Sequence, residues 1–233
     1  MKKIIIYIVI IGLIACKETD SNFVSLIVLS DKTDEHIPRP ELADIQYFFH
    51  QSDFINAGKR FYFREITHTS VNKLYTAEYF QSSLLDNKLS EKKDKTDFEA
   101  RIENILRKNH NEKQKYENST IIKPLIQCLE LLKAERSTRK IIILYSDLLE
   151  ANELFNTYNF KNSQQLLKNP REVASHFTST LVIPKLKGIE LYLVYQPKEI
   201  YDNQLFEKMV EVYQIIFKDS GLQIRIGIPN AIK

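Results

Sequence analysis

Two aspartates stand where strongly apolar runs stop. Asp31 ends Phe23-Val24-Ser25-Leu26-Ile27-Val28-Leu29-Ser30, and Asp147 ends Lys140-Ile141-Ile142-Ile143-Leu144-Tyr145-Ser146. A carboxylate at the end of a buried strand is poorly solvated unless something positive or hydrogen-bonding lies beside it. Thr33, Asp34 and Glu35 follow the first run closely, and Ser119 and Thr120 open an expected helix ahead of the second. Oxygen donors carried by three loops to one sheet edge suit a hard cation, magnesium foremost with manganese or calcium as alternatives, held partly through water. Each residue also has a plainer use: Ser119 as a helix cap, Asp147 as a turn or cap residue, Asp31 as a turn former. The candidate metal ligands are thus Asp31, Thr33, Glu35, Ser119, Thr120 and Asp147. No catalytic residue is assigned.

The elements that must position these residues follow from hydrophobic periodicity. The run 23–30, bounded by turn residues, predicts a strand buried on both faces. Pro40 suits the first turn of a helix carrying Leu42, Ile45, Phe48 and Phe49. Residues 59–67 and 74–81 read as an aromatic-rich hairpin turning through Thr69, Ser70 and Asn72, whose alternate side chains pack on helices. The charged segment 89–95 reads as a solvated loop, 96–108 as an amphipathic helix with Phe98, Ile102, Ile105 and Leu106 on one side, and 109–118 as the least ordered stretch. A helix over 119–134, a strand over 140–146 and a loop with short helical pieces over 148–184 come next. A strand over 189–195, a helix over 205–217 closed by Gly221 and a short strand over 222–228 complete the chain. Alternating strands and helices imply an α/β fold in three layers: a mostly parallel central sheet, one antiparallel edge hairpin, and helices on both faces. In such sheets ligands gather at the carboxyl ends of the strands, where Asp31 and Asp147 must both lie.

This order of elements and motifs resembles the von Willebrand factor A-type domain over about residues 23–228. The family's metal-ion-dependent adhesion site is written Asp-x-Ser-x-Ser after the first strand, then a Thr before a later helix and an Asp after the following strand. Here these would be Asp31-Lys32-Thr33-Asp34-Glu35, Thr120 (or Ser119), and Asp147. The resemblance implies that Asp31 and Thr33 contact the ion, that Thr120 completes the shell, that Asp147 acts mainly through water, and that a protein partner's acidic side chain supplies a last ligand. Two departures stand out: Glu35 occupies the second serine position, and Leu148 stands where a glycine usually follows the aspartate.

Other chemistries find less support. A receiver domain needs an acidic pair after the first strand, and Ser30-Asp31 is not one. A phosphatase Asp-x-Asp fails at Lys32-Thr33, and the five glycines do not cluster as a phosphate loop would require. The five histidines show no paired zinc-ligand spacing, and no Gly-x-Ser-x-Gly elbow occurs. The expectation is a protein-binding, non-enzymatic module. A metal-dependent envelope hydrolase using the same acidic edge, or a structural lipoprotein with a degenerate site, are the alternatives.

Location comes from the first residues. Met1-Lys2-Lys3, an apolar run to Ile14, and Ala15-Cys16 form a basic, apolar and small-residue series that reads as a secretory signal, too short for a membrane-spanning helix. Leu13-Ile14-Ala15-Cys16 also resembles the lipobox of bacterial lipoproteins, which implies a signal peptide over residues 1–15, acyl chains such as palmitate on Cys16, a polar tether over 16–22 and an α/β domain over 23–233. The protein is then expected in the bacterial cell envelope, held to a membrane by lipid. Formal charge is +3, and Lys2 and Lys3 would leave with the signal, so no basic footprint for nucleic acid remains. Cys128, on the apolar side of its expected helix, would then stand alone as a buried small hydrophobe.

Overall fold

In the computed structural model, which describes residues 22–69, 71–81, 88–110 and 118–229, strand β1 (Phe23–Asp31) is buried along its whole length. Its side chains divide between two cores: Val24, Leu26 and Val28 on one face, Ile27 and Leu29 on the other. That division is why the run carries no polar alternation. β1 pairs in parallel with β2 (Gly58–Ile66) on one side and with β4 (Arg139–Tyr145) on the other. The full sheet runs β3-β2-β1-β4-β5-β6, with β5 (Ile189–Val194) and the short β6 (Gln223–Ile226) also parallel. Among the described residues only β3 (Leu74–Tyr79) is antiparallel, forming the expected edge hairpin with β2.

Helices cover both faces. Ile45, Phe48 and Phe49 of α1 (Leu42–Phe49), with Phe98, Ile102 and Leu106 of α2 (Lys88–His110), close one core. The other core is closed by α3 (Ile122–Ala134), the paired short helices α4 (Phe160–Lys168) and α5 (Pro170–Thr178), and α6 (Ile200–Ile216). The fold is therefore the expected three-layer α/β architecture. Within the hairpin, Phe61, Phe63 and Tyr79 are buried while Phe80 is exposed. Cys128 is buried and its thiol is pushed up to about 11, chiefly by desolvation.

Several boundaries differ from the sequence reading. The charged stretch 89–95 is helical: α2 begins at Lys88, and its first turns are laced by a Glu91–Lys95 ion pair at 2.6 Å and anchored to the packed segment that follows. α1 begins at Leu42 after an N-cap at Glu41, so Pro40 lies just outside it. α6 starts at Ile200, five residues earlier than its apolar period indicated. α3 starts at Ile122, so Ser119 and Thr120 precede the helix and Ser119 is not its cap. Residues 1–21, which include the expected signal, Cys16 and most of the expected tether, lie outside the described residues, as do Ser70 and most of 109–118. Asn109 itself is buried at the end of α2. Among the described residues no helix is long and apolar enough to cross a membrane.

Candidate functional site at the carboxyl edge of the sheet

From β1 the chain builds outward in both directions, to β2 and β3 on one side and to β4, β5 and β6 on the other. The connections leaving β1 and β4 therefore diverge and open a crevice at their carboxyl ends. Register brings Ser30 opposite Tyr145, so Asp31 and Ser146 step off the sheet side by side.

Asp31 is 3% exposed and held on both oxygens. Its Oδ1 accepts from the backbone N–H of Thr33 (2.9 Å) and from the Thr33 hydroxyl (2.6 Å), and its Oδ2 accepts from the Ser146 hydroxyl (2.8 Å). Burial raises its pKa, against the pull of these donors. The Ser146 hydroxyl in turn accepts the N–H of Leu148 at 3.0 Å, so one serine ties the β1 end to the turn after β4.

Asp147 points into the same crevice. Its Oδ1 accepts the N–H of Leu149 (2.9 Å), while its second oxygen takes no hydrogen bond from any described residue. Burial holds its pKa well above the ordinary carboxylate range, and the charge of Asp31 raises it further. Leu148 carries the turn with φ of 64°, the only non-glycine residue with positive φ among those described. The glycine that the adhesion-site pattern expects is absent here, and a leucine has taken its backbone conformation. The side chain is wholly buried in the core under α3 and α6, which offsets the cost of about 1–2 kcal/mol for that conformation.

The remaining candidates separate from this unit. Glu35 is 81% exposed, and the ion pair it makes is a 3.9 Å approach to His36, so it turns away from the crevice. Ser119 lies in an antiparallel bridge with Ala151 (3.3 and 2.9 Å), and its buried hydroxyl has no partner. Thr120 is tied through its backbone N–H to the carbonyl of Thr67 (3.3 Å), beyond the end of β2. It lines a polar cavity of about 520 Å³ with His68, Asn118, Lys123, Asn152 and Glu153. Asp31, Thr33 and Asp147 thus share the crevice. Ser119 and Thr120 occupy the adjoining loops.

Two residues at this edge were not singled out in the sequence. One is Ser146. The other is Glu150, wholly buried, which supplies the N-terminal cap that α3 lacks locally. Its carboxylate accepts the N–H groups of Ile122 (2.6 Å) and Ile121 (3.1 Å) and the side-chain amide of Asn152. Desolvation pushes it up to about 8 despite these donors, with the Asp31 charge adding to the rise. A lone acid inside Leu148-Leu149-Glu150-Ala151 was the available signal. The buried hydroxyl of Tyr213 on α6, unpartnered, has its pKa raised well above the ordinary value by burial and by Glu150, Asp31 and Asp147.

Among the described residues no three His, Cys, Asp or Glu side chains form a metal-binding group. The oxygens at this edge open to an ion are fewer: the Thr33 hydroxyl oxygen, whose proton goes to Asp31, and the second oxygen of Asp147. Such a sparse set suits a hydrated magnesium ion that keeps most of its waters. The larger shell, with Glu35 and Thr120, does not assemble. No protein-family model matches the sequence, and no curated protein does.

Proposed function

We propose that this protein is a partner-binding module of the bacterial cell envelope, anchored by lipid on Cys16 and engaging a protein through the carboxyl edge of its sheet, with a hydrated divalent cation at Thr33 and Asp147. The observation that carries this reading is the half-satisfied carboxylate of Asp147, sunk beside Asp31 in the crevice between β1 and β4. A buried acid with an open oxygen gains most from a cation brought to it. Binding is favoured over turnover because both hydroxyls at the strand ends give their protons to Asp31, Thr33 at one oxygen and the fully buried Ser146 at the other. The three-layer α/β fold with its mostly parallel sheet is compatible with this reading.

Calorimetric titration of the full-length chain in neutral detergent with magnesium and manganese tests the ion. Binding is expected in the parent and at least tenfold weaker in Asp147→Asn; an absence of heat in the parent refutes the ion. Incorporation of labelled palmitate in cells, expected in the parent and lost in Cys16→Ser, tests the anchor; equal labelling refutes it.

A further inference from the structure

Exposed aromatic and aliphatic side chains stand on the connections that leave this edge of the sheet. Tyr158 is 61% exposed, Phe160 76%, Ile200 81% and Tyr201 44%. Tyr158 and Phe160 flank the start of α4, and Ile200 and Tyr201 open α6, so both groups stand on connections leaving the carboxyl ends of β4 and β5. Large apolar groups gathered at one edge mark an interaction surface more often than scattered ones do.

Four aspartates lie at the same edge: Asp31 ends β1, Asp147 follows β4, Asp34 follows β1, and Asp202 sits in the first turn of α6. Desolvation raises Tyr158, and the charges of Asp147, Asp31 and Asp34 raise it further. Tyr195 is pushed up to about 12 by desolvation and then by Asp147, Asp202 and Asp34. Tyr158 is nonetheless largely exposed. Two basic groups on neighbouring loops, Lys198 and His36, contact each other at 2.5 Å. Among the described residues none of the four aspartates makes an ion pair. Asp147 is buried, its Oδ1 accepts the Leu149 N–H, and its second oxygen takes no hydrogen bond from any described residue.

Carboxylates without an ion-pair partner, beside exposed aromatic side chains, complement a cation that carries an apolar stem. Guanidinium and ammonium groups stack on tyrosine and phenylalanine faces, and guanidinium also pairs with carboxylate in a fork geometry. We infer that this edge docks a basic segment of a protein partner, with an arginine or lysine side chain passing the Tyr158 and Tyr195 rings towards Asp147. The inference rests on the reading of this edge as the partner-binding surface, but not on the divalent ion; the partner brings the cation itself.

The test uses the full-length chain in neutral detergent and a fluorescein-labelled peptide of alternating glycine and arginine, read by anisotropy with chelator and with magnesium. A matched peptide with citrulline replacing arginine keeps the shape and removes the charge. The arginine peptide is expected to bind at least tenfold tighter than the citrulline one, with chelator present, and to weaken as salt rises. Tyr158→Ala and Asp147→Asn should each weaken it about tenfold, and Val182→Ala, exposed in the connection leading into β5, should not. Tyr158 is a surface residue, so its variant tests the surface even if Asp147→Asn folds poorly. Equal binding of the two peptides, no effect of Tyr158→Ala, or binding that requires magnesium overturns the inference. If the arginine peptide fails while magnesium still titrates at Asp147, the basic partner is refuted and the ion-mediated reading stands.

Discussion

Replacing Glu150 by glutamine tests how the acidic edge is balanced against the fold. The side chain is wholly buried and its carboxyl is pushed up to about 8, from an ordinary value of 4.5. An acid whose folded pKa is raised binds more protons in the native than in the unfolded state. Its contribution to stability is therefore greatest below about pH 4.5 and falls as pH rises towards 8. At 1.36 kcal/mol per pH unit, and allowing for partial titration at each end, the loss from this one group between pH 5 and pH 7 is about 2.5 kcal/mol. For a chain of this size that corresponds to roughly 5–10 °C in melting temperature. Glutamine cannot ionise, but its amide turns one acceptor of Ile121, Ile122 and Asn152 into a donor, which costs about 1–3 kcal/mol at every pH. Glu150→Gln is thus expected to be less stable than the parent at pH 5 and close to it at pH 7. Urea unfolding followed by circular dichroism at pH 5, 6 and 7 measures both slopes. Asp31 and Asp147 contribute to the pH dependence of both proteins, so the difference between the slopes isolates Glu150. Parallel curves would refute the reasoning, and would mean that the three N–H donors keep Glu150 ionised throughout.

Leu148→Ala and Leu148→Gly both lose the buried side chain and should destabilise by about 2–5 kcal/mol. At this positive φ, however, glycine should be the better of the two by about 1 kcal/mol, the reverse of the ordinary order; urea midpoints decide, and an alanine variant more stable than the glycine one would contradict the strain. A Cβ added at Gly58 would lie 2.5 Å from the Phe23 ring, which packs edge-on against Phe80 and under Arg60. Gly58→Ala is expected to cost about 1–3 kcal/mol by thermal melting, and a melt unchanged from the parent would mean the ring moves freely aside.

The sheet was readable because its signals are local. Continuous apolar runs such as 24–29 and 141–145 have few uses other than strands buried on both faces, and an acid that ends each run fixes which edge it joins. The α2 boundary was not readable in the same way. Glu91 to Lys95 carries no apolar period, and its helix is held by i,i+4 pairing and by continuity with Phe98, Ile102 and Leu106. Ser119 has the composition of a cap, but the N–H groups of α3 are taken by Glu150, which arrives from 28 residues further along the chain. Cap preferences consider only neighbours in sequence and cannot anticipate such a donor-acceptor pair.

The amino-acid sequence alone determined that this protein is an α/β sheet with carboxylates at two strand ends, because burial periodicity and strand termination are properties of short segments. Which oxygens remain open was decided only by the tertiary structure. Ser146 and Thr33 fill Asp31, Leu148 accepts a strained turn in exchange for core contact, Glu35 swings outward, and Asp147 keeps one free oxygen beside exposed aromatic side chains. Each of these outcomes depends on groups from distant segments competing for the same few hydrogen bonds, and that competition exists only once the chain has folded.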